Sequence, residues 1–181
     1  MIEKTKKETA DNGWPLIMWG WLILIACITS YIIFWTEQYH LAYLPWAVFM
    51  GLGGIINLVV EFRDRNRKKV HTYAERAIGW LWAFCGGVMF FVGFAAVPAG
   101  ILKGWESITA MECLIAGIGT AVTAKILDWD LMFYLALLWF VAVLLMIFVP
   151  SYYHLLIMAI TIIPAYLVPG YILRSKYNKK A

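Results

Sequence analysis

Six apolar stretches follow one another along the chain with short polar segments between them. They cover 14–35, 43–60, 77–102, 107–127, 131–149 and 154–173. A helix needs about 20 mainly apolar residues to cross a hydrocarbon layer roughly 30 Å thick, because it rises about 1.5 Å per residue. Each stretch is near that length. Lipid offers no partner to a free backbone N–H or C=O, so helices are the expected spanning form. The pattern predicts an all-α polytopic membrane protein with six transmembrane helices. Residues 1–13 and 174–181 are left as short tails. The second stretch is short and is entered through Pro45, which a helix tolerates in its first turn, where the missing donor has no partner to lose.

The charges between the stretches alternate in the same rhythm. Lys4, Lys6 and Lys7 precede the first, and Arg63, Arg65, Arg67, Lys68, Lys69 and Arg76 follow the second. Lys125 closes the fourth, while Arg174, Lys176, Lys179 and Lys180 follow the sixth. Of the 15 Lys and Arg residues, only Lys103 falls on the opposite side. The basic side of a membrane protein is the cytoplasmic one. Both termini are therefore expected in the cytoplasm, and losing any one span would scramble the alternation.

Composition sharpens this reading. The chain of 181 residues is 63% hydrophobic and only 14% charged, far from the roughly 25% charged residues of a soluble domain. One soluble core of this size has no room for so much apolar surface. The net charge of +4 is accounted for by the topology clusters, so nucleic acid is not an expected partner. The length leaves no room for a separate soluble domain. The first stretch is too long for a signal-peptide core of about 7–15 residues, so it is expected to remain as the first span.

Trp14, Trp35, Trp46, Trp105 and Trp129 sit near span ends, where amphipathic rings favour the headgroup layer, while Trp139 lies deeper, at a position expected to pack between helices. Cys27, Cys85 and Cys113 lie inside apolar stretches without metal or redox spacing and are read as small buried residues. Two short matches hint at a three-hairpin pseudo-repeat. Gly20-Trp21-Leu22 recurs as Gly79-Trp80-Leu81, and the pair Gly51 and Gly53 recurs as Gly117 and Gly119.

Few polar residues fall inside the spans. Glu112 stands in the fourth, and helical spacing puts Ala116, Gly119 and Thr123 on its face. An intramembrane carboxyl is costly to keep charged and marks an ion or proton path, a ligand partner or a structural hydrogen bond. Asn57 makes a second polar line with Gly53 and Glu61, readable as helix-to-helix glue or as a path element. Outside, Glu37, His40, Glu106 and His154 form a candidate cluster for proton relay or divalent metal, although their spacing is no metal signature and solvated loop residues are the preferred reading.

The loop from Arg63 to Arg76 reads first as a topology determinant and second as a surface for anionic headgroups or a cytoplasmic partner. Pro164 and Pro169, with Gly170, are expected to kink or unwind the sixth span. Small residues on the second, third and fourth spans, among them Gly86, Gly87 and Gly93, are expected to pack helix against helix. There is no H-E-x-x-H, G-x-S-x-G, phosphate loop or CxxC, so no enzyme activity, cofactor or metal is expected.

Three segments carry a resemblance: RAIGWLW at Arg76 to Trp82, AGIGT at Ala116 to Thr120 and YLVPGYIL at Tyr166 to Leu173. On these the chain resembles a group of small, uncharacterised six-span bacterial membrane proteins. The resemblance implies a bacterial inner membrane and nothing about a substrate. Two functions remain open at this point. One is a small transporter or channel, for which a homo-oligomer is one open form, with Glu112, Asn57 and Thr123 along its path. The other is a membrane sensor or binding module that engages a lipid, small ligand or protein partner.

Overall fold

The structure is a computed structural model that describes residues 13–65, 72–102 and 106–178. Among the described residues every regular element is helical. In chain order these are α1 (Trp14–Trp35), α2 (Leu44–Arg65), α3 (Tyr73–Phe94), α4 (Glu106–Ile126), α5 (Asp130–Met146), α6 (His154–Ile162) and α7 (Val168–Asn178). A π-helical turn, Ile163–Leu167, joins α6 to α7, and short 3-10 turns stand at Tyr39–Leu41 and Ser151–Tyr153.

Five segments are long and apolar enough to cross a membrane: Trp14–Trp35, Leu44–Arg63, Tyr73–Phe94, Ser107–Ile126 and Ser151–Ser175. The last takes in α6, the π turn and α7 as one rod. The helix that falls short is α5, with 17 residues. The apolar run behind it continues to Val149, but the backbone leaves the helix after Met146 and turns at Ile147 and Phe148.

The helix ends are closed by hydrogen-bonded turns rather than by sequence punctuation. After α1, Gln38 N–H donates to Ile33 and Glu37 N–H to Phe34. After α4, Trp129 N–H donates to Ala124 and Asp128 N–H to Lys125. Both are Schellman closures, which place one residue in the left-handed region. Here those residues are Glu37 at φ 59° and Asp128 at φ 55°. Beyond α3 the same pattern recurs with a glycine, Gly100 at φ 71°, while Ile101 N–H reaches Ala96. The α3 helix itself stops at Phe94, so the apolar residues up to Leu102 form turns. At its other end Thr72 and Glu75 make a reciprocal capping box, which fixes where the chain enters the helix.

Successive helices pack in pairs, α1 with α2, α3 with α4, and α5 with α4 and α6. The rod of α6, π turn and α7 is the centre, with 56% of its span enclosed by protein against 11% for α2 and for α3. It touches α1, α4 and α5. The buried cluster gathers Cys27, Cys113, Trp139, Met158, Ile162 and Tyr166 from these elements. All three cysteines are buried, as their apolar surroundings predict, and Trp139 is fully enclosed. Gly117 makes its place: a Cβ there would stand 2.9 Å from that of Trp139. The outermost helices, α2 and α3, each rest on one principal neighbour.

One packing expectation is overturned. Gly86 and Gly87 look outward, and a Cβ at either would meet nothing within 4 Å. A glycine inside an apolar helix carries no information about which side faces protein, because lipid and core are equally apolar. Gly93 alone of that set is enclosed on one side, and its neighbour is Glu112.

Candidate intramembrane carboxyl site

The seam between α3 and α4 carries the chain's buried polar line. On α4, Glu112, Gly119 and Thr123 face it; on α3, Trp82, Cys85 and Gly93 answer them. Each end of the seam depends on a glycine opposite a large group. At one end, a Cβ on Gly93 would stand 3.1 Å from the Glu112 Oε1, so the absent side chain leaves room for the carboxyl. At the other end, a Cβ on Gly119 would stand 3.2 Å from the Trp82 ring. The indole therefore brings one edge close to α4, and its N–H reaches the Thr123 hydroxyl one turn further on, at 3.0 Å. Thr123 in turn donates to the Gly119 carbonyl at 2.7 Å.

Glu112 lies six residues into α4 from Glu106, hence about 9 Å along the axis from its N-terminal end. It is half-buried. Among the described residues its carboxyl has no hydrogen bond and no ion pair. Cys113 and Cys27 are its buried neighbours on the core side, close enough to interact electrostatically. Among the described residues the site thus has an acid without a fixed counter-charge, beside a glycine and near two buried cysteines.

Further in, the centre holds polar groups that sequence reasoning passed over. Tyr166 is buried within the π turn. Its hydroxyl interacts with that of Thr120, and its ring meets Trp139 edge-on at 5.5 Å and Trp82 at 6.1 Å. Thr120 also donates to the Ala116 carbonyl at 2.6 Å. The indole N–H of Trp139 is buried without a partner among the described residues. The π turn is what aims Tyr166 here. Pro164 and Pro169 bracket it, each lacking the N–H of a regular helix, and the wider turn is closed by Val168 N–H on the Ile163 carbonyl. The two prolines were the available signal, and they mark the irregular turn without revealing which side chain it delivers.

The other candidates are dispersed. Asn57 is exposed on α2, away from the seam. Glu37 and His40 are exposed, just beyond the C-terminal end of α1 and in the first 3-10 turn. The side chain of Glu106 lies outside the described residues. His154 is buried and points inward, its Nε2 standing 2.9 Å from the Met146 carbonyl and 3.3 Å from that of Val149. Carbonyls only accept, so Nε2 carries the hydrogen and Nδ1 is the bare nitrogen, which has no partner among the described residues. His154 thereby ties the end of α5 to the start of α6. Among the described residues no three His, Cys, Asp or Glu side chains gather as metal ligands.

In the basic loop, Arg63 and Arg76 are exposed. Arg67, Lys68 and Lys69, and the side chain of Arg65, lie outside the described residues. Gly170 is buried against Ile17 and Gly13. At Gly13 a Cβ would collide with the Gly170 carbonyl, so α1 and α7 meet backbone to backbone. Comparison with protein-family models, with curated proteins and with solved structures returns no match.

Proposed function

We propose that the chain is a six-pass protein of a bacterial inner membrane that carries a proton or small cation through the bilayer, with Glu112 as the group that takes it up. One observation carries this reading: the Glu112 carboxyl is held in the α3–α4 seam with no hydrogen bond or ion pair among the described residues. A carboxyl at such depth is stabilised by a proton or by a cation rather than standing as a lone charge. From it the seam continues inward past Gly119 to Thr123, a course of about 16 Å for the eleven residues of α4 involved. The Thr123 hydroxyl on that course is neutral, and the seam gives an anion no fixed positive charge among the described residues.

Connectivity supports six crossings, with α5 included. The α5 helix starts a short turn after α4 and ends where His154 opens α6. At 17 residues it is at the lower limit for spanning. The basic clusters then lie on one side, which supports cytoplasmic termini and contact with anionic headgroups at Arg63 and Arg76. Helix α4 packs on both α3 and α5, and α6 packs more on α1 than on α5, so the contacts do not divide the bundle into three hairpins. The glycine pairs behind the repeat differ in surroundings, since Gly117 is enclosed and Gly51 is open.

The test is reconstitution into vesicles with an internal pH dye and a set membrane potential. Proton or cation flux in the wild type, lost in Glu112→Gln, supports the reading. Absence of flux in the wild type, or flux unchanged by Glu112→Gln, overturns it. The competing sensor reading would then be pursued through cytoplasmic partners lost when Arg63 and Arg76 become Gln.

A further inference from the structure

Trp82 fills the α3–α4 seam between Glu112 and Thr123. A Cβ on Gly119 would stand 3.2 Å from one atom of its ring, 3.4 Å from a second and 3.4 Å from the Cys85 sulfur. A methyl group fits there only if a neighbour gives way, and a water molecule needs about as much room. The same ring ties up the hydroxyl beyond it. Thr123 accepts the indole N–H at 3.0 Å and spends its own hydrogen on the Gly119 carbonyl at 2.7 Å. Its one donor is committed, and one of its two lone pairs is taken.

The ring is held on the Gly119 side and free on the other. Trp82 is half-buried. On its own helix Gly79 and Gly86 stand one turn away in either direction, and a Cβ at either would meet nothing within 4 Å. No side chain of α3 at those two positions obstructs a swing of the indole about its Cα–Cβ bond. The swing gives up the bond to Thr123 and an edge contact with the Tyr166 ring, at 6.1 Å between centroids.

We propose that Trp82 is the gate of the Glu112 path: the structure is the closed state, and the path opens when the indole leaves Gly119 and releases Thr123. The proposal rests on the transport reading and adds the device that controls it. One side chain both fills the slot and holds the hydroxyl, so a single movement makes room for a file of water and frees the Thr123 oxygen. A proton held by Glu112 then passes to that water, its carboxyl O–H bond breaking as a new O–H bond forms. A cation held there passes with no bond changed.

A gate and a packing residue predict opposite signs for flux. Wild type, Trp82→Phe and Trp82→Ala are reconstituted in vesicles under an imposed membrane potential, each with and without Glu112→Gln. Trp82→Phe keeps a ring near Gly119 but has no N–H. It raises flux about two- to ten-fold, the factor by which one net hydrogen bond biases an equilibrium between two states. Trp82→Ala empties the slot and raises flux further. Glu112→Gln abolishes the flux in every background, which separates an opened path from leakage through damaged protein. Helical circular dichroism and a single elution peak establish that each variant is folded, and Trp82→Phe decides the matter if Trp82→Ala is not. A Trp82→Phe rate at or below a wild-type flux that Glu112→Gln stops overturns the gate and leaves the transport reading standing. Raised flux that survives Glu112→Gln overturns the gate as well. No flux in the wild type overturns the transport reading, and the gate falls with it.

Discussion

Trp82 of α3 donates its indole N–H to the hydroxyl of Thr123 on α4 at 3.0 Å, and Gly119 supplies the space that lets the ring lie close enough to do so. Three residues on two helices thus fix the register of the seam in which Glu112 lies. The bond is enclosed where no water competes for either partner, so removing the acceptor leaves a buried donor unsatisfied.

Thr123→Val keeps the side-chain shape and deletes that acceptor. It is expected to lower stability by about 1–3 kcal/mol, measured by reversible unfolding in mixed micelles. Trp82→Phe in the same background should cost far less than it does alone, because the two changes remove one interaction. Additive costs in the double-mutant cycle would show that the bond contributes nothing of its own.

The carboxyl and its glycine are expected to be coupled in the same way. A Cβ at Gly93 would stand 3.1 Å from Glu112 Oε1, so Gly93→Ala forces the carboxyl to shift by a few tenths of an ångström and Gly93→Val by more. Flux through reconstituted protein should fall in that order. Gly86→Ala, which meets open space, should leave flux at the wild-type rate.

Glu37 occupies a left-handed position at φ 59°, which costs a residue with a Cβ about 1–2 kcal/mol. Glu37→Gly should therefore raise stability by up to about 1 kcal/mol, offset in part by the entropy of the freer unfolded chain. Gly100, at φ 71°, should show the reverse. Gly100→Ala is expected to lower stability by about 1 kcal/mol. The paired measurement separates a cap residue from a member of an external binding cluster, since a binding role for Glu37 predicts loss of function without a gain in stability.

Two glycines give the sharpest contrast in packing. Gly117→Ala places a methyl 2.9 Å from the Trp139 Cβ, a contact that neither backbone can relieve, whereas Gly87→Ala meets nothing within 4 Å. The first should cost about 1–3 kcal/mol, and the second should be neutral or mildly stabilising through helix propensity. Equal effects would mean that α4 and α5 are not packed as described.

These contrasts show where the sequence is readable and where it stops. The spans are legible because hydrocarbon thickness sets a length that the apolar runs must reach, as at Trp14–Trp35. Their ends are less so, since Glu37 and Asp128 close helices at positions where a glycine would have signalled the turn. Which face is inside is nearly illegible, because lipid and protein core select the same apolar residues. Gly86 and Gly87 therefore look like packing residues yet face out, while the seam around Trp82 is enclosed. Glu112 stands out in the sequence as a charge in an apolar run. Tyr166 does not, because only the π turn between Pro164 and Pro169 reveals that it points to Thr120 and Trp139.

The inner placement of the C-terminal end, and with it the count of six crossings, rests on α5 crossing the bilayer despite its 17 residues. With the native cysteines replaced, single cysteines at Gln38, Gly100, Ser151, Arg63, Asp128 and Ser175 can be probed in intact cells with a membrane-impermeant maleimide. The account predicts labelling from outside at Gln38, Gly100 and Ser151, and at Arg63, Asp128 and Ser175 only after the membrane is opened. Labelling of Ser175 in intact cells, with Ser151 protected, would place both ends of α5 on the inner side and contradict it.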